Sequence, residues 1–105
     1  MVDLSEQNIV DCTTNKTVYG NNGCYGGSML QSYNYVVINK GIDTTKSYPY
    51  LSGSSKQQGT TCKYNTSGFG ASISKFVVLP SDELSLKTAV ATIGPVSVSG
   101  GWIWY

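Results

Sequence analysis

DLSEQNIVDC, residues Asp3 to Cys12, opens the chain with a helix signal. Ser5 is placed as an N-cap, because its side-chain oxygen accepts from an orphan amide of the first turn, and Glu6 puts negative charge at the positive helix end. Ile9 and Val10 supply the apolar surface for such a helix to bury. Working outward, Ser28 to Asn39 carries Met29, Leu30, Tyr33, Val36 and Val37 at helical spacing, closed by Lys40 as a C-terminal cation and Gly41 as a C′ glycine. Ser52 to Thr61 has no periodicity and reads as an exposed loop. Ala71 to Leu79 reads as a strand ending at Pro80, after which Ser81 or Asp82 caps a helix through Thr92, closed by Gly94-Pro95. Val96, Val98, Trp102, Ile103, Trp104 and Tyr105 read as the start of another strand. A helix signal with nothing ahead of it, and a strand-like end without a turn, lead us to expect a truncated piece. The fold class predicted is α+β.

Composition narrows the function. The 105 residues suffice for one modest domain. Charged residues are 12% of the chain, against roughly a quarter in an ordinary soluble domain, and the net charge is +1. A nucleic-acid or membrane-surface partner needs a dense positive face, so neither is expected. No apolar run approaches the ~18 residues of a membrane span. The chain has no His, so by itself it forms neither a Ser-His-Asp nor a Cys-His-Asn arrangement, and it lacks the commonest zinc ligand. No metal or cofactor is implied. Its three Cys, widely spaced, fit one disulfide plus one thiol with a partner elsewhere, and do not fit a CxxC pair.

Chemistry enters through a resemblance. Asp3 to Cys12 followed by Asn22 to Gly27, NGCYGG, resembles the papain family of cysteine peptidases in its cathepsin L-like branch. Further matches follow in order: Ser47-Tyr48-Pro49-Tyr50, Cys62-Lys63-Tyr64-Asn65, and Ala89-Val90-Ala91 leading to Gly94-Pro95-Val96-Ser97-Val98. After Val98 the stretch Ser99-Gly100-Gly101-Trp102 departs from the family's usual continuation. The resemblance implies a partial papain-like fold, with residues 1–72 from the helical domain and residues 73–105 opening the β-barrel domain. The family cleaves peptide bonds with a Cys thiolate paired to a His that an Asn orients, assisted by an oxyanion site. In that family the His and Asn follow the Cys by about 130 to 150 residues. A chain of 105 residues is shorter than that separation. The resemblance therefore implies a catalytically inert stretch that carries none of the catalytic residues, the missing N- and C-terminal segments of the same protein supplying them.

Residue by residue, the resemblance implies that Cys12 and Cys62 bridge each other; the plainer alternative is a pair of buried thiols. Cys24 matches a Cys whose partner lies just before the nucleophile, and its misreading as the nucleophile itself fails for want of a His. Gly26 and Gly27 match the cleft rim, where bare backbone pairs with an extended substrate; the alternative is a turn entering the next helix. Ser28 and Met29 match the pocket for the substrate residue two before the scissile bond, and Ser99 its far wall, Met29 making it apolar and adaptable unless it is simply a core contact. Ser28 stands where the cathepsin L-like branch commonly has a bulky apolar residue. Asn15-Lys16-Thr17 and Asn65-Thr66-Ser67 are glycan-acceptor triplets, or coincidences in a chain rich in such residues. Tyr48-Pro49-Tyr50 reads as an extended corner with aromatic packing, and Asp82-Glu83 as capping carboxylates rather than general acids. The function implied is peptide-bond hydrolysis by the full-length protein on peptide or protein substrates, in a lysosomal or extracellular compartment. The alternatives are a non-catalytic homologue that binds or scaffolds, and a small disulfide-bearing module complete at Met1 and Tyr105.

Overall fold

Ser5 caps the first helix as its residue type predicts. In the computed structural model, which describes residues 1–55 and 61–99, α1 runs Glu6–Cys12, and the Ser5 hydroxyl oxygen accepts the Asn8 N–H at 3.0 Å. The same hydroxyl donates to the Tyr48 carbonyl at 2.6 Å, tying the helix start to a segment 43 residues away. The buried face differs from the expected one. Ile9 and Val10 are only half-buried, whereas Gln7, Asn8, Asp11 and Cys12 are buried. Buried amides and carboxylates are tolerated where partners replace water, and here they do.

Gln7 Nε2 donates to Asp11 Oδ1 at 2.9 Å and to Ser52 Oγ at 2.8 Å. Gln7 Oε1 accepts the Leu51 and Ser52 amides at 2.9 and 3.0 Å. Tyr48 donates its hydroxyl to Asp11 Oδ2 at 2.6 Å and accepts the Lys63 amide at 3.0 Å. Burial first, and then the bond donated to Asp11, holds the Tyr48 phenol well above its ordinary pKa. Asn8 Nδ2 donates to the Tyr35 hydroxyl at 2.9 Å, and its carbonyl accepts the Asp43 amide at 2.9 Å. Burial pushes Tyr35 up to about 12, although the Asn8 bond acts in the opposite direction. The polar side chains of α1 thus stitch four stretches of chain together.

The second helix, α2, is Met29–Asn39, capped by Ser28, whose side chain accepts the Leu30 amide. Its end corrects the expectation for Lys40 and Gly41. Lys40 itself takes the left-handed conformation at φ 61°, with its amide bonded to Val37 O and the Gly41 amide to Val36 O. Gly41 is required for space instead, because a Cβ there would lie 2.7 Å from the Tyr64 hydroxyl. Cys12, Tyr35, Val36 and Ile42 form the buried core, with Ile9, Tyr19, Tyr64 and Ile73 packed on it. Tyr19 meets Tyr35 edge to face, with ring centroids 5.5 Å apart. Two short strands follow. β1 (Ile42–Asp43) pairs antiparallel with β2 (Phe69–Ala71), Ile42 opposite Ala71.

Cys12 and Cys62 are disulfide-bonded, their Cα atoms 4.7 Å apart and their positions 50 residues apart in sequence. The bridge fastens α1 to the chain that returns toward β2. The alternative of buried thiols is thereby excluded. Tyr48 packs as the Tyr48-Pro49-Tyr50 corner predicts, but Tyr50 is exposed. Ser52–Ser55 forms a short helix, α3, where a loop was expected; Ser52 is buried because Gln7 binds it. The remainder of that expected loop, residues 56–60, lies outside the described residues.

The chain divides into two compact units, Met1–Lys75 and Phe76–Tyr105. In the second, α4 spans Glu83–Thr92 with Asp82 as N-cap, its carboxylate accepting the Ser85 amide at 2.7 Å and the Ser85 hydroxyl at 2.9 Å. These bonds hold the Asp82 carboxyl below its ordinary pKa, the backbone amide contributing most. Capping accounts for Asp82 and Glu83, as the sequence implied. The strand expected at Ala71 to Leu79 does not form beyond Ala71. Val77 and Val78 are exposed, and no described residue offers that run a ladder, so strand propensity alone does not suffice. Of Val96–Ser99 only Val98 takes part in a β-bridge, with no named strand formed, and residues 100–105 of that expected strand lie outside the described residues. Among the described residues no helix is long and apolar enough to cross a membrane.

Candidate functional site: a glycine rim on the first unit

The connection from α1 to α2 builds the site. Thr13, just after α1, is buried and donates its hydroxyl to the Ile9 carbonyl at 2.7 Å. The chain then turns at Asn15, whose carbonyl accepts the amides of Val18, Tyr19 and Gly20, and returns to Thr13 through the Asn21 amide at 3.1 Å. Gly23–Tyr25 forms a single 3₁₀ turn, closed by the Asn22 amide donating to the Gly26 carbonyl at 2.8 Å. Gly26, Gly27, Ser28 and Met29 then lead into α2, so these sequence-predicted residues are brought onto one edge. Cys24 is exposed in the 3₁₀ turn, outside the Cys12–Cys62 disulfide.

The two glycines are needed for different reasons. Gly26 adopts φ 120° and ψ 176°, a conformation essentially confined to glycine. Gly27 has no room for a side chain, since a Cβ would lie 2.7 Å from the Asn21 side chain. The turn reading and the rim reading are therefore compatible. Both glycines are exposed, and among the described residues neither the N–H nor the C=O of Gly27 has a hydrogen-bond partner. An exposed residue with both main-chain groups open is equipped to add one rung of antiparallel pairing to an extended peptide. Met29 is half-buried and is not part of the buried core. Ser99 belongs to the second unit, where it is exposed.

Both glycan-acceptor triplets are exposed and share one geometry. Asn15 Oδ1 accepts the Thr17 amide at 3.0 Å and its hydroxyl at 2.7 Å. Asn65 Oδ1 accepts the Ser67 amide at 3.0 Å and its hydroxyl at 2.9 Å. Among the described residues there is no group of three or more His, Cys, Asp or Glu that could hold a metal ion.

Sequence reasoning overlooked Asn21. Its Nδ2 donates to Thr13 Oγ1 at 3.0 Å and to Ser32 Oγ at 3.2 Å, and its Oδ1 accepts the Ser28 amide at 2.8 Å. No local pattern marks it: Asn21-Asn22-Gly23 reads only as a turn. What identifies it is that it is a buried amide with all its hydrogen-bonding groups occupied.

The disulfide-bonded helix α1, the exposed Gly26 and Gly27, and the capped helix α2 all lie within the first unit. The chain belongs to the papain family of cysteine proteases, whose family model matches residues 1–102. It is 49% identical over 100 residues to cathepsin L of Sarcophaga peregrina, covering 94% of this chain and 27% of that protein. To cathepsin S of Mus musculus it is 46% identical over 99 residues, covering 93% of this chain and 27% of that protein. Among solved structures it resembles digestive procathepsin L 3 of the Tenebrio molitor larval midgut, with TM-score 0.76 and 38% identity over 90% of this chain and 29% of that one. The chain thus spans 27% of the length of these two curated relatives. The α+β architecture is that of part of the papain-like fold.

Proposed function

We propose that these residues form the substrate-facing rim and disulfide framework of a longer papain-like cysteine endopeptidase. Residues 1–72 are assigned to its helical domain and residues 73–105 to the opening of its β-barrel domain. The observation that carries this reading is the exposed main chain of Gly27, unpaired among the described residues, on a chain that belongs to the papain family. Gly26 and Gly27 present backbone to an extended peptide, while Ser28 and Met29 line the pocket for the residue two before the scissile bond. The nucleophilic thiolate, the imidazole and the Asn lie on other segments, one of which supplies the partner of Cys24. Asn15 and Asn65 accept glycans, in keeping with a secretory route to a lysosomal or extracellular compartment, where the Cys12–Cys62 disulfide persists.

The test compares the longer protein with the 105-residue stretch alone. The longer protein is expected to hydrolyse peptide substrates and to lose that activity to thiol-directed peptide inhibitors; the stretch alone is expected to do neither. Peptide binding without hydrolysis by the longer protein would instead identify a non-catalytic homologue. Inhibitor labelling mapped to Cys24 would overturn the assignment of roles altogether.

A further inference from the structure

We infer that Asn21 is a positioning residue that aims the Gly27 carbonyl at the substrate; this rests on the reading of the glycine rim as a peptide-binding edge. A trans peptide is planar, with its C=O and N–H pointing in opposite directions, and among the described residues there is no cis peptide bond. The Gly27 C=O and the Ser28 N–H belong to one such plane. Asn21 Oδ1 holds the Ser28 N–H from beneath at 2.8 Å, so the Gly27 C=O is turned outward. The preceding plane is fixed in the same way: the Asn22 amide holds the Gly26 C=O at 2.8 Å, which turns the Gly27 N–H outward.

Asn21 is itself locked. It is buried, both its donated bonds end on hydroxyls of Thr13 and Ser32, and its side chain fills the space that a Gly27 Cβ would occupy. Those hydroxyls are in turn anchored, Thr13 to the Ile9 carbonyl at 2.7 Å and Ser32 to the Ser28 carbonyl at 3.1 Å. Thus the end of α1 and the start of α2 are referenced to a single amide, and the rim inherits its orientation from both helices. A pre-oriented acceptor needs no reordering when peptide arrives.

The experiment uses the longer protein and pairs Asn21→Ala with a change in the substrate. Peptides are prepared with the amide N–H of the residue two before the scissile bond either intact or replaced by an ester oxygen. In the unaltered protein the ester is expected to raise KM about tenfold, the scale of one lost hydrogen bond. Asn21→Ala is expected to raise KM for the amide peptide by about the same factor, with kcat per titrated active site retained, and to abolish the further penalty of the ester. Ser32→Ala removes one anchor of the Asn21 side chain and leaves its acceptor for the Ser28 amide; it is expected to raise KM by a smaller factor and to shrink the ester penalty accordingly, and it also serves if Asn21→Ala does not fold. A fall in titratable sites or in kcat with an unchanged ester penalty would mean that Asn21 only supports the fold, and would overturn the inference.

A readout independent of activity separates this from the proposed function. Amide hydrogen exchange at Ser28 is expected to speed up at least tenfold in Asn21→Ala while Tyr35 and Val36 in α2 keep their protection; equal loss at all three would overturn the inference. If the unaltered protein neither cleaves nor binds either peptide, the peptide-binding reading is what fails, whatever the exchange rates show.

Discussion

Replacing Cys12 and Cys62 together by Ser is expected to lower the unfolding free energy by about 4 kcal/mol, the loop-closure value for a crosslink spanning 50 residues. A domain of this size has ~5–15 kcal/mol in all, so the loss is a large share of the total. The geometry supports a full effect. The bridge joins a buried residue of α1 to the strand-ward return of the chain, and Cys12 is part of the core with Tyr35, Val36 and Ile42. Denaturant unfolding of the oxidised and substituted proteins measures it directly, the midpoint shift being read against an unchanged slope. A shift of under about 1 kcal/mol would mean that the network around Gln7 and Tyr48 already holds Tyr48, Ser52 and Lys63 in place without the crosslink.

Gln7→Leu is expected to cost about 3 kcal/mol, although it replaces a polar side chain by an apolar one of similar bulk at a buried site. The loss follows from the partners left behind. The Leu51 and Ser52 amides lose their acceptor, while Asp11 and Ser52 Oγ lose a donor, and a stranded buried group costs ~1–3 kcal/mol. Glu6→Ala, at an exposed position one residue earlier, is the control and is expected to remain within about 0.5 kcal/mol. The comparison is made by chemical unfolding. A neutral or stabilised Gln7→Leu would show that water reaches these groups and that the buried polar face of α1 is not what anchors α3.

These two predictions bracket what was legible in the sequence. Local chemistry was readable: Ser5 and Asp82 cap the helices as their residue types suggest, because an N-cap depends on groups within three residues, while Ser28, expected as the first residue of its helix, is its N-cap. Long-range partnership was not. Ile9 and Val10 look like the buried face of α1 only if burial is equated with apolarity, and Gln7, Asn8 and Asp11 are buried because Tyr48, Ser52, Tyr35 and Asp43 meet them from elsewhere in the chain. The disulfide pairing came from family resemblance, since spacing alone leaves the pairing open among three cysteines. Strand propensity at Val77 and Val78 misled for the converse reason, a strand being defined by a partner that no described residue provides.

The candidate site divides along the same line. Gly26 and Gly27 are visible as a motif, yet their separate causes, a φ of 120° and a neighbouring Asn21 side chain, emerge only in three dimensions. Asn21 has no sequence signature, because its importance lies in whom it touches.

The central claim, that the Gly27 main chain receives substrate, is tested most directly by following the Gly27 amide in the longer protein as a peptide-derived, thiol-directed inhibitor binds. Hydrogen exchange at this exposed amide is expected to slow at least tenfold on binding, with α4 unaffected. Inhibition accompanied by no change at Gly27 would contradict it.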